Sequence, residues 1–194
     1  MGKGVTGIRS SQRKHVPDIV GLDKDMQTSL RRIAHKARKD RRHRFQNLYR
    51  MLDEDFLEQV FYSLNKKAAS GVDRVNFRDY EADLGENLQM LIENLKQRKY
   101  RAKLVRRKNI PKGNGKTRPL GIPAIEDKLL QTAVSLILQA IYEQDFLPCS
   151  YGYRPDVGAR TAVEALSARL QFGKFGYVVE ADIKSFFDRI EHDW

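Results

Sequence analysis

The chain has a single cysteine, Cys149, which rules out an internal disulfide and any multi-cysteine zinc site. Its four histidines, His15, His35, His43 and His192, show no paired metal-ligand spacing. No run of about 18 apolar residues occurs, so no segment has the composition of a membrane-spanning helix. The first residues lack the apolar stretch of a secretory signal. A reducing, cytoplasmic setting without a membrane partner is the expectation. Apolar residues nevertheless make up 41% of the 194 positions, enough for a core.

What is abundant is positive charge, and it is unevenly spread. The net charge of +11 resolves into +10 over residues 1–50, −3 over 51–100, +8 over 101–119 and −4 over 120–194. Two concentrated basic blocks on a weakly acidic body imply two sites for polyanions, whereas a uniformly basic surface would imply only solubility.

Four segments follow from the patterning. Residues 1–22 carry Gly, Ser and charge without periodicity and are expected to be disordered. Residues 23–52 form a basic N-terminal extension. A helical pattern starts at Asp23 (Met26, Leu30, Ile33, Ala34, Ala37) and runs into Arg38-Lys-Asp-Arg-Arg-His-Arg44. Arg38, Arg41, Arg42 and Arg44, three and four apart, would make a helical stripe suited to an RNA backbone, or merely a solvated face. In residues 53–123, Asp53 caps a helix from Glu54 to about Ala69, with Phe56, Leu57, Val60, Phe61 and Leu64 inward. Ala68-Ala-Ser-Gly-Val-Asp73 breaks it, Gly71 permitting a sharp turn that Asp73 can hold. A second helix runs from Tyr80 to about Lys99.

Lys103 to Pro111 reads as a strand, Lys112-Gly-Asn-Gly115 as a tight turn and Lys116 to Pro123 as the return strand. A basic, glycine-tipped hairpin can grip phosphates, since Gly lets the backbone approach and Arg supplies forked donors. By itself it does not distinguish RNA, DNA and nucleotide. In residues 124–194, a helix from Ala124 to Phe146 should bury Ile125, Leu129, Val134, Leu138 and Ile141, with Glu126 and Asp127 complementing its dipole. The loop Ser150-Tyr-Gly-Tyr-Arg-Pro155 offers Tyr151, Tyr153 and Arg154 to template nucleotides, with Arg154 as an RNA-binding residue, while Tyr151 and Tyr153 can equally anchor the loop. A helix from Gly158 to Phe172 ends at Gly173. Phe175 to Ala181 is short, apolar and β-branched, which predicts a buried strand with Val178, Glu180 and Asp182 on one face. An aspartate at a strand end is either a turn former or a metal ligand. Helices, a hairpin and this strand together predict an α+β fold.

These stretches resemble group II intron-type reverse transcriptases, over about residues 44–194. Ala68-Ala-Ser-Gly-Val-Asp73 is similar to the family's AAPGVDGV, with serine for proline. Ile110-Pro-Lys to Pro123 is similar to IPK-x-x-G-x-x-RPLGIP, and Ser150 to Pro155 to SYGFRP with Tyr153 for Phe. Tyr177 to Trp194 is similar to the block holding the first catalytic aspartate. The resemblance implies helical fingers with the hairpin, leading into the first part of a right-hand polymerase palm, an antiparallel sheet packed on helices. It implies RNA-directed DNA polymerisation on an RNA template, intron RNA in the family, with a primer, dNTPs and two Mg²⁺ ions. Asp182 would be a catalytic metal ligand, joined by the Ile183 backbone carbonyl. Lys112 and Arg118 would bind the triphosphate, with Arg106 as third contact and Arg107 competing for that place. Phe187 would be the gate that excludes a ribose 2′-hydroxyl. Asp188 matches no ligand and reads as local capping. The setting would be a ribonucleoprotein or the nucleoid.

The family's other catalytic carboxylates lie in a Tyr-x-Asp-Asp hairpin, and no two aspartates are adjacent in this chain. The expectation is therefore a truncated polymerase, inactive alone. A non-catalytic, maturase-like fragment holding intron RNA is the alternative, and a chain whose palm is completed by self-association or a partner is a third.

Overall fold

The structure is a computed structural model describing residues 22–111, 115–184, 186 and 189–191. Among these, six α-helices and one two-stranded antiparallel sheet give the α+β class expected. Two compact units meet in sequence between Phe146 and Leu147.

In the first unit, helix α1 (Lys24–Lys39) starts at Asp23, whose carboxylate accepts from the Met26 N–H at 2.7 Å. It stops at Asp40, whose side chain accepts from the Arg42 N–H at 3.1 Å. Such local side-chain bonding competes with helix propagation. The expected helical stripe is therefore cut short: Arg41, Arg42 and Arg44 lie beyond the helix in a turn and an irregular run. Leu22, expected in the disordered N-terminus, is buried in the core. The rest of that N-terminal stretch lies outside the described residues.

Asp53 caps α2 (Glu54–Ser63) as expected, accepting from the Phe56 N–H at 3.0 Å. The helix ends at Ser63 rather than near Ala69. Asn65 makes the stop, its side chain accepting from the Lys67 N–H and its carbonyl from the Ala68 N–H, both at 2.9 Å. The single helix expected over 80–99 is two, α3 (Phe77–Ala82) and α4 (Leu84–Lys96), because the backbone leaves helical geometry at Asp83. A reciprocal capping box of Asn76 and Asp79 starts α3 earlier than expected.

Helix α5 (Ile125–Tyr142) buries Ile125, Leu129, Ala133, Ile137 and Ala140. Val134 and Leu138, expected inward, are 37% and 42% exposed. The buried stripe is rotated by one position because small residues, Ala133 and Ala140, face the neighbours. Those neighbours are α1 and α2, and among the described residues no palm sheet packs on this helix. Phe56, Leu57, Val60 and Phe61 of α2 form the centre of the core, and Phe61 stacks on Phe77 with centroids 4.3 Å apart. Each such buried side chain stabilises by about 2–3 kcal/mol relative to exposure.

Gly71 has a different reason from the one expected. A β-carbon there would lie 2.5 Å from Ala124 Cα and 2.6 Å from its nitrogen, so the glycine permits backbone against backbone. The left-handed residue of that turn is Arg74, with φ of 60°. Asp73 does hold the turn, accepting from the Val75 N–H at 3.2 Å.

Two antiparallel strands form where the hairpin was expected, β1 (Arg106–Pro111), which starts three residues after Lys103, and β2 (Thr117–Ile122), while residues 112–114 of the expected turn lie outside the described residues. In the second unit, α6 (Ala159–Phe172) ends at Gly173, whose N–H donates to the Arg169 carbonyl at 2.8 Å. The strand expected over 175–181 is not formed, and its side chains are exposed, Val179 to 90%. A strand exists only through a hydrogen-bonded neighbour. Among the described residues none pairs with this run.

Candidate nucleotide and nucleic-acid interface

The hairpin register pairs Arg106 with Ile122, Lys108 with Leu120 and Ile110 with Arg118. Residues directly opposite share a face, and residues two apart along a strand do too. One face therefore carries Arg106, Lys108 and Arg118, and the other carries Arg107, Asn109 and Thr117. This separates the two competing arginines, since Arg106 shares a face with Arg118 and Arg107 does not. All three cations on the first face are exposed. Arg106 and Arg118 stand about 13 Å apart along the strands with Lys108 between, a span that three long side chains can close around a polyphosphate. Lys108 was not among the expected site residues. Its parity with Arg106 is readable in the sequence, but its alignment with Arg118 needs the register.

Arg106 also lies near Lys128 on α5. Burial is the main reason the Lys128 ammonium pKa is lowered, and the Arg106 charge adds to it. The Lys128 ammonium donates to the Ala69 carbonyl.

The base of the hairpin is built from acids and tyrosines. Asp127, buried in the first turn of α5, accepts from the Tyr100 hydroxyl and from the Lys103 backbone N–H, the latter at 3.2 Å. The Lys103 ammonium pairs with Asp73 at 3.0 Å, which raises its pKa. The Tyr80 hydroxyl donates to Glu126 at 3.3 Å. Burial raises the Glu126 pKa. Glu126 and Asp127 thus do more than complement a dipole.

Burial raises the hydroxyl pKa of Tyr80, reinforced by the Glu126 charge, and that of Tyr100, reinforced by its hydrogen bond to Asp127. A pKa raised on folding means stability intact below the ordinary tyrosine value of about 10 and lost above it. The thermal midpoint should therefore fall as pH rises past about 10. The Tyr80→Phe, Tyr100→Phe double variant should fall less steeply over the same range, and an equal slope would refute the linkage.

Arg38, Arg41, Arg42 and Arg44 are all exposed at the end of α1 and in the run that follows. In the second unit the Arg154 guanidinium donates to the Leu147 and Ser150 carbonyls, closing its own loop. Tyr153 does not anchor that loop: it is fully exposed on a left-handed backbone, φ 54°. Asp182 and Ile183 are exposed in irregular chain. Lys112, Phe187 and Asp188 lie outside the described residues. Mg²⁺ takes hard oxygen ligands in octahedral geometry, one or two carboxylates sharing it with substrate phosphates and water. Among the described residues no three His, Cys, Asp or Glu side chains gather where they could hold a metal ion.

Residues 110–194 match the family of reverse transcriptases (RNA-dependent DNA polymerases). Protein YkfC of Escherichia coli (strain K12) is 36% identical over 171 residues, 84% of this chain and 44% of YkfC. The group II intron-encoded protein LtrA of Lactococcus lactis subsp. cremoris is 37% identical over 166 residues, 84% of this chain and 27% of LtrA. A putative COX1/OXI3 intron 1 protein of Saccharomyces cerevisiae is 34% identical over 106 residues, 55% of this chain and 12% of that protein. The chain spans less than half the length of each of these relatives. Its basic hairpin, its match to the polymerase family and its likeness to intron-encoded proteins identify it as a sequence of the group II intron-type reverse transcriptases.

Proposed function

We propose that this chain supplies the nucleotide-gripping and RNA-holding part of an RNA-directed DNA polymerase of group II intron type. The observation that carries the reading is the alignment of Arg106, Lys108 and Arg118 on one exposed face of an antiparallel hairpin. Arg106 and Arg118, with Lys112, hold the triphosphate of the incoming dNTP. Arg38, Arg41, Arg42 and Arg44 hold RNA backbone, and Arg154 shapes the loop that presents Tyr153. Phe187 limits the sugar to deoxyribose. Asp182 and the Ile183 carbonyl would give two of the several oxygen ligands that Mg²⁺ requires, and the phosphoryl-transfer step needs carboxylates beyond Asp182.

Primer extension on an RNA template with Mg²⁺ and dNTPs tests this. In an enzyme whose palm is completed by the further carboxylates, Arg118→Ala should raise the dNTP KM by about tenfold or more, the loss of a charge-assisted forked contact. An unchanged KM would remove Arg118 from the nucleotide site. The alternative, a maturase-like chain that holds intron RNA without chemistry, is favoured by the exposed Asp182, which belongs to no group of three or more His, Cys, Asp or Glu side chains among the described residues. It predicts RNA binding with no extension at any Mg²⁺ concentration.

A further inference from the structure

The hairpin has no core face. Along both strands only Ile110 and Ile122 are even half-buried, and the strands pack mainly on each other. Its direction must therefore be set at its root. The outgoing strand β2 continues through Pro123 into α5, a covalent tie. The incoming strand β1 has no such tie to α5, and what holds the chain leading into it is Asp127. That carboxylate is 3% exposed, with one oxygen toward the Tyr100 hydroxyl and the other toward the Lys103 N–H. Lys103 is gripped a second time by Asp73, in the turn pressed through Gly71 onto Ala124.

We propose that Asp127 is a positioning residue, tying the incoming strand to the helical turn into which the outgoing strand runs, and so fixing the angle at which Arg106, Lys108 and Arg118 meet a polyphosphate. A buried carboxylate suits this work because it accepts from two donors on different segments, and burial excludes water as a substitute acceptor. The functional consequence rests on the reading of that face as a triphosphate site. When a binding-competent orientation is only partly populated, affinity falls by that fraction.

Spin labels at Asn109→Cys, on the hairpin face away from the three cations, and at the exposed Met90→Cys of α4 report this angle in a Cys149→Ser background. The parent should give one narrow distance distribution. Asp127→Ala should widen it about twofold and weaken binding of inorganic triphosphate about threefold or more. Asp127→Asn should restore the narrow distribution, since its amide oxygen still accepts from Lys103 and its NH₂ can donate to the Tyr100 oxygen. Tyr100→Phe, which removes one of the two donors, should give an intermediate width and keeps the test open if Asp127→Ala does not fold. Ile137→Val, a small core loss elsewhere, should lower the melting temperature without widening the distribution. A folded Asp127→Ala or Tyr100→Phe variant as narrow as the parent overturns the proposal. Widening accompanied by no effect of Arg118→Ala on triphosphate affinity would leave the mounting in place and overturn its link to nucleotide binding.

Discussion

Raising the salt concentration from 50 to 200 mM should weaken binding of single-stranded RNA to this chain by about 300-fold. That figure follows from about six neutralised phosphates, each adding about 0.7 to the slope of log affinity against log salt. The basis is the exposure of both basic clusters, Arg38 to Arg44 at the end of α1 and Arg106, Lys108 and Arg118 on the hairpin. Replacing Arg38, Arg41, Arg42 and Arg44 together by alanine should lower the slope by about 3. Anisotropy titrations at four salt concentrations measure both quantities. An unaltered slope in the quadruple variant would remove that run from the interface, and a flat profile in the parent would end the polyanion reading altogether.

Gly71→Ala should cost about 1–3 kcal/mol of unfolding free energy, the range for overpacking, and toward its upper end because the neighbour cannot give. The new β-carbon would meet backbone atoms of Pro123 and Ala124 at 2.5–2.9 Å, not the end of a mobile side chain. Gly85, inside α4, is the internal comparison, since nothing lies within 4 Å of a β-carbon there. Gly85→Ala should stabilise by about 1 kcal/mol, the helix-propensity difference. Urea unfolding of the two variants measures both. A neutral Gly71→Ala would mean that the 71–74 turn can lift off the start of α5.

Two helix starts were legible in the sequence: Asp53 caps α2 as expected, and the helical pattern expected from Asp23 begins there, although the Asn76 capping box that starts α3 ahead of Tyr80 was not read. Helix ends were less so. Asp40 and Asn65 turn the chain through bonds to their own neighbours, a choice that apolar periodicity does not record. The inward face of α5 was misjudged by one position because Ala133 and Ala140 weigh little on a hydrophobic scale yet allow close helix packing. The run over 175–181 has the composition of a strand, but composition cannot supply the neighbour that a strand requires. For the site, a basic, glycine-tipped hairpin was readable from the residues, while the triphosphate roles of Arg106 and Arg118 came from the family resemblance. Choosing Arg106 over Arg107 and adding Lys108 needed the register. Asp127 was hidden, since an acid in the first turn of a helix looks like dipole compensation until the donors facing it are seen.

The hairpin that stands clear of the core has a consequence for redesign. In most of the first unit a side chain answers first to packing, as at Phe56 or Leu129, and a change of chemistry there threatens the scaffold. On β1 and β2 the choice of residue is nearly free of that constraint. Charge reversal, shortening of a lysine or an aromatic swap on either face should leave the melting temperature nearly unchanged. Ligand preference can thus be re-engineered on these strands, and selection there can act on what is held without disturbing how the chain folds.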